Sequence, residues 1–366
     1  MAGSRRSFLF ATIVLAIALT GACSGKESPS SSESAAPTLD QVAEHVEEDL
    51  DVYDVIATGI IVLVRVGDRT RTFASGMADV KHRRRMQPDD RFPIQSITKT
   101  MVATTVLQLV AAERLNLDDT VEDVIPGLLP QGHRITIRNL LSHRSGLHDP
   151  GGEDVPPLSR MTDDSLIDAT AAHPLDFPPG TSGSYSNVGY EVLGKVVEQV
   201  TGRPLGEAME HNVFGPAGMS DTQLLGSNSV QGYYDTKAVT DPYLRFSPAA
   251  GGVVSTAADI DRFYTALWHG DLLDKELVAT MTKPLGIVAP WGMDYGLGVW
   301  FNSESCGTAM GHSGAGPGFA TKAWTLPRRG PLGRGHGQRW RSRPFHRRWL
   351  CYGRALRLTQ VRAMRG

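Results

Sequence analysis

From residue 39 onward the hydrophobic positions fall into segments of two periods. Leu39, Val42, Val46 and Leu50 recur every three or four residues, which predicts an amphipathic helix over Leu39 to Leu50. Ala57 to Val66 and Thr70 to Ala78 are instead rich in β-branched residues and are joined by Gly67-Asp68-Arg69, a hairpin signal. Met101 to Ala112 is apolar nearly all round, as expected of a helix covered on every side. Val192, Leu193, Val196, Val197 and Val200 place one apolar side on a helix from Val188 to Thr201, with Gly202 and Pro204 as stop signals. Ser255 or Thr256 caps a further helix, carried by Ile260, Phe263, Tyr264 and Leu267 and closed by Gly270. Tyr295 to Phe301 and Phe319 to Leu326 read as strands, and Lys81 to Arg85 as a solvated loop. Strands at both ends with helices and turns between them predict an α/β (α+β) fold. An antiparallel sheet flanked by helices would be built from both chain ends, with a mainly helical lobe inserted into it.

Ahead of this body the chain has a different character. Ser4-Arg5-Arg6-Ser7-Phe8-Leu9 is similar to a twin-arginine export pattern, and the apolar run Phe8 to Leu19 is too short to span a bilayer comfortably. Thr20-Gly21-Ala22-Cys23 is similar to a lipoprotein cleavage site, although Leu is more usual where Thr20 stands. Residues 1–22 are therefore expected to be an export signal, and Cys23 a lipidation site on the outer face of the cytoplasmic membrane. Ordinary signal cleavage, leaving a soluble exported protein, is the alternative. Residues 23–38 are Ser- and Pro-rich and read as a tether. The remaining cysteines, Cys306 and Cys351, are too few for a disulfide framework, and the 11 histidines show no zinc-ligand spacing, so no metal or other cofactor is expected.

The net charge of −2 conceals a division. Twelve of the 37 basic residues lie in 328–366, which has no acid, leaving 25 against 39 acids in residues 1–327. An acidic body argues against a nucleic-acid partner.

Three short motifs carry the candidate chemistry. Ser96-x-x-Lys99 opens the long apolar run, and on a helix this spacing puts hydroxyl and amine on one face. Tyr185-x-Asn187 lies at the mouth of the Val188 helix, where Asn187 could equally be an ordinary cap and Tyr185 a packing residue. Gly311-His312-Ser313-Gly314-Ala315-Gly316-Pro317-Gly318 lies beside predicted strands, where glycine permits close approach of another backbone or a ligand. Each motif alone is weak.

In this order the three resemble the motifs of the penicillin-recognising serine hydrolases, most closely the class C β-lactamase and D-alanyl-D-alanine carboxypeptidase branch. The resemblance extends over Leu140 to Leu147 and Gly251 to Phe263, and makes 39–327 one catalytic domain. It implies an acyl-enzyme on Ser96, with Lys99 or Tyr185 as the acylation base and Tyr185 as the proton shuttle to the leaving group. Asn187 would hydrogen-bond the substrate's amide side chain. His312, with Ser313 and Gly314, would face a substrate carboxylate or the Tyr185 hydroxyl, and the N–H groups of Ser96 and Ala315 would form the oxyanion hole. The implied substrate is a β-lactam, a D-Ala peptide of peptidoglycan type, or a related amide or ester in the cell envelope.

The Arg-rich end, 328–366, departs from the family. It is either a basic arm toward anionic lipid or wall polymers, or the product of a shifted reading frame. The second predicts a sheet lobe without its last strand and helix, and an exposed edge. A non-catalytic remnant, or an envelope binding protein with an incomplete lobe, is then the alternative to an enzyme.

Overall fold

The computed structural model describes residues 38–53, 57–150, 164–234, 237–239, 246–304, 307–326 and 356–364. The export signal, Cys23, the tether, Cys306 and Cys351 lie outside the described residues.

A seven-stranded antiparallel sheet is formed by β1 (Ala57–Val66), β2 (Arg69–Asp79), β3 (Arg84–Arg85), β4 (Trp300–Glu304), β5 (Gly307–Gly316), β6 (Phe319–Thr325) and β7 (Leu356–Met364), in the order β4-β5-β6-β7-β1-β2-β3. Helices α1 (Leu39–Tyr53), α2 (Thr98–Ala111), α3 (Val188–Thr201), α4 (Pro248–Gly251) and α5 (Ala257–His269) are the ones that frame the sheet and the site. The alternation along β1 explains how the sheet is covered on both faces. Ile60, Val62 and Val64 pack with Leu39, Val42, Ala43 and Val46 of α1, whereas Ile61 and Leu63 join the main core with Ile260, Phe263 and Leu267 of α5. Arg65, on that second face, forms an ion pair with the buried Asp261 of α5.

The predicted sheet from both chain ends and the inserted helical region are both present. Three local expectations need correction. Residues Lys81 to Arg85 are not wholly a loop, because Arg84 and Arg85 pair with Asp79 and Met77 of β2, and Arg84 forms an ion pair with the buried Asp90. The strand expected over Tyr295 to Phe301 begins only at Trp300. Gly298 turns the chain there with φ +83°, and a Cβ at that position would lie 2.4 Å from the Ala103 Cβ of α2. The expectation that the sheet lacks its last strand is also overturned. Leu356–Met364 forms β7, paired with β1 on one side and β6 on the other, so this part of the Arg-rich end completes the sheet instead of leaving an open edge.

α2 meets its description from the sequence. Eleven of its fourteen residues are buried, among them Lys99, Thr100, Thr104 and Thr105, whose hydroxyls and amine are all hydrogen-bonded. It is entered through a 3-10 turn, Gln95–Ile97, that carries Ser96. β5 backs directly on to this turn: a Cβ on Gly314 would lie 2.4 Å from the Ile94 carbonyl oxygen and 2.5 Å from Thr321 Oγ1. A Gly314→Ala variant should therefore lose about 1–3 kcal/mol of stability, read from its urea midpoint, because backbone on one side and a packed strand on the other leave no room to relax.

Candidate active site

Ser96 is the one residue of its turn that is not buried, and the chain before it is strained: Gln95 holds φ +53° although it is neither glycine nor exposed. The Gln95 amide occupies the space that a Cβ on Gly316 would need, with its Cδ, Nε2 and Oε1 all 2.6 Å from that position. The third motif thus supports the turn that carries Ser96 through the absence of side chains.

Three residues on, Lys99 is fully buried and its amine donates to Ser96 Oγ at 3.1 Å, Asn187 Oδ1 at 2.8 Å and the Ala250 carbonyl at 2.9 Å. All three protons of an ammonium group are accounted for. Burial lowers its pKa to about 7, opposed by the negative charges of Asp149 and Glu191. Asn187 opens α3, but its side chain makes no cap bond. Its amide oxygen is on Lys99, and the capping is done by Asp149, which accepts from the N–H groups of Asn187 at 2.8 Å and Val188 at 3.0 Å.

Tyr185 packs its ring beside the Lys99 amine, 4.8 Å from the ring centroid, and its hydroxyl interacts with the Ser96 side chain. Burial holds the phenol well above its ordinary pKa, so it is neutral and carries its proton. His143 fixes its position from both sides: the backbone N–H of Ser184 donates to the His143 carbonyl at 3.0 Å and that of Ser186 to its Nδ1 at 3.1 Å, with the two rings 4.3 Å apart.

His312 lies 6.3 Å from Tyr185, centroid to centroid, and is fully buried. Its Nδ1 is 2.6 Å from the Ser313 carbonyl and must donate to it, which leaves Nε2 to accept from the Tyr295 hydroxyl at 3.1 Å. Burial and the Lys99 charge lower its pKa to about 3. The ring therefore neither bonds the Tyr185 hydroxyl nor carries charge near neutrality. Ser313 is half-buried, Gly314 buried and Ala315 exposed between the two glycines that touch the Ser96 turn.

Ser96, Lys99, Tyr185, Asn187 and His312, drawn from three distant segments, are thus brought into one cluster. A match to the Beta-lactamase family spans residues 42–334. The chain belongs to that family. In sequence it is 27% identical over 290 residues to penicillin-binding protein 4* of Bacillus subtilis (72% of this chain, 64% of the relative) and 36% identical over 179 residues to esterase EstB of Burkholderia gladioli (44% and 45%). The chain therefore spans less than two thirds of these relatives' lengths. In structure this β-lactamase-family chain is similar to the D-stereospecific amidohydrolase of a Streptomyces species, with TM-score 0.71, 27% identity and coverage of 87% of this chain and 94% of the other.

Asp149, Glu191, His143 and Tyr295 were not singled out from the sequence. For Glu191 a signal existed, since it follows Asn187 by four residues and so shares its helix face. Asp149 had none, because its partners lie 38 and 39 positions away. An Asp149→Ala variant should lose about 0.5–2 kcal/mol in denaturant unfolding, the usual cost of a missing N-cap acceptor, while Asp149→Asn should recover most of it.

Proposed function

We propose that this chain is a serine hydrolase that forms an acyl-enzyme on Ser96. The observation carrying this reading is the buried Lys99 amine, bonded to Ser96 Oγ and depressed to a pKa of about 7. A serine hydroxyl becomes a useful nucleophile when a neighbour takes its proton, and an amine half neutral near pH 7 is suited to that. Lys99 is favoured over Tyr185 as the base, because a phenolate is strongly disfavoured by burial in this cluster. Ser96 Oγ attacks the carbonyl carbon as its proton passes to Lys99, and the carbonyl electron pair moves to oxygen, where the N–H groups of Ser96 and Ala315 hold it. As the tetrahedral adduct collapses, the bond to the leaving group breaks, and that group takes the Tyr185 proton, which Lys99 replaces. Water, entering by the reverse proton path, releases the acid and restores Ser96.

The state of His312 bears on the substrate. In this reading His312 orients Tyr295 and the end of β5 and supplies no cation for a carboxylate beside the scissile bond. This favours amides and esters lacking such a carboxylate over β-lactams and D-Ala-D-Ala peptides, in line with the relatives named an esterase and a D-stereospecific amidohydrolase. The strand β7 supports an enzyme over a remnant, since it completes the lobe that holds the site. A site in the cell envelope, lipid-anchored through Cys23, is part of the proposal and rests on residues 4–23 of the sequence.

A fluorescent alkyl phosphonate should label the wild type and not Ser96→Ala; equal labelling would refute the acyl-enzyme. The labelling rate should rise with pH through about 7 and then level, because Lys99 loses its proton there. Short-chain p-nitrophenyl esters and D-aminoacyl anilides should be turned over with kcat/KM at least about tenfold above that for nitrocefin. The opposite order would reject the substrate assignment.

A further inference from the structure

Outside the motif residues, a buried carboxyl group is tied to the same backbone residue as the Lys99 amine and has no part in the proposed proton path. Glu191, on α3 one turn beyond Asn187, is 4% exposed, one turn from the buried Val188 of the same helix. A carboxylate in such a place is destabilising unless its oxygens are satisfied. They are: Oε1 accepts from Ser247 Oγ at 2.7 Å and from the Ala250 N–H at 2.9 Å, and Oε2 from the Ala249 N–H at 3.4 Å. Ala250 is also the residue whose carbonyl accepts from Lys99 Nζ at 2.9 Å. One side of this residue is thus held by Glu191 and the other by the catalytic amine.

We propose that Glu191 is a positioning residue for Lys99, fixing the Ser247–Gly251 turn so that the Ala250 carbonyl meets the amine, and facing that amine with a buried carboxylate. The inference rests on the reading of Lys99 as the acylation base. It also identifies which charges govern that base. The ionisable groups around Lys99 are Glu191 and Tyr190 on α3, Tyr185 before it, His143 and Asp149 on the segment that follows the short helix Ile137–Leu141, and His312 on β5. Burial keeps both tyrosines protonated and both histidines neutral near pH 7, so the negative charge that acts on the amine comes from the carboxyl groups of Asp149 and Glu191. A negative neighbour raises an amine's pKa, so both act against desolvation. Glu191 is itself pushed up to about 7 by burial, and the pair titrates as a unit.

The test compares the pH dependence of phosphonate labelling in wild type, Glu191→Gln and Glu191→Asp. Gln keeps an oxygen for Ser247 and Ala250 but removes the charge, so the rising limb should move to lower pH by about one unit. Asp keeps the charge but shortens the reach, so the limb should stay while the plateau falls severalfold. Should Glu191→Gln not fold, Ser247→Ala removes a donor to the carboxylate and should move the limb in the same direction by less. A Gln variant with an unmoved limb, whether its rate is unchanged or uniformly reduced, overturns the inference. Labelling of the wild type separates the two failures: its absence sinks the acyl-enzyme and this inference together, whereas labelling with an unmoved limb sinks this one alone.

Discussion

The structure around the site depends on one buried amine. Lys99 on α2 binds Ser96 on the preceding turn, Asn187 at the start of α3 and Ala250 in α4. Three segments remote in sequence therefore meet at a single nitrogen. An amine in that position opposes folding through its desolvation, and the surrounding carboxylates and carbonyl offset part of that cost. The same compromise between burial and nearby charge brings its pKa to about 7, so the arrangement that costs the fold stability is also the one on which the proposed chemistry rests.

The glycines of β5 do complementary work. Gly314 and Gly316 let the strand lie against Ile94 and Gln95 without intervening side chains, and this close approach sustains a left-handed Gln95 immediately before Ser96. Tyr185 is held in a comparable way by His143, which occupies the backbone donors on either side of it. The reactive groups are thus positioned mainly by backbone contacts to neighbouring residues, and these tolerate little side-chain variation.

Much of this was legible in the sequence. Periodicity located α1, α2, α3, α5 and the β1–β2 hairpin, because each buries a face whose spacing is its own signature. The three motifs named the residues that cluster. What stayed hidden was whatever depends on partners far along the chain. The capping of α3 by Asp149 and the tie from Glu191 to Ala250 follow no local rule. The neutrality of His312 could not be foreseen either, since it comes from burial and from the charge of Lys99, a residue remote in sequence. Leu356–Met364 was misjudged for a related reason: its arginines mask the β-pattern, and its place is set by the open edges of β1 and β6.

That placement has a consequence for how the molecule is assembled. β7 does not lie at the rim of the sheet; it is the slat between β1, near one end of the chain, and β6, far along it. Until it is inserted, the β1–β2 hairpin and the β4–β6 meander are two separate ribbons with facing, unfilled ladders. Closure of the sheet thus depends on pairings of large sequence separation, and without β7 the facing edges of β1 and β6 would each offer a template to another extended polypeptide.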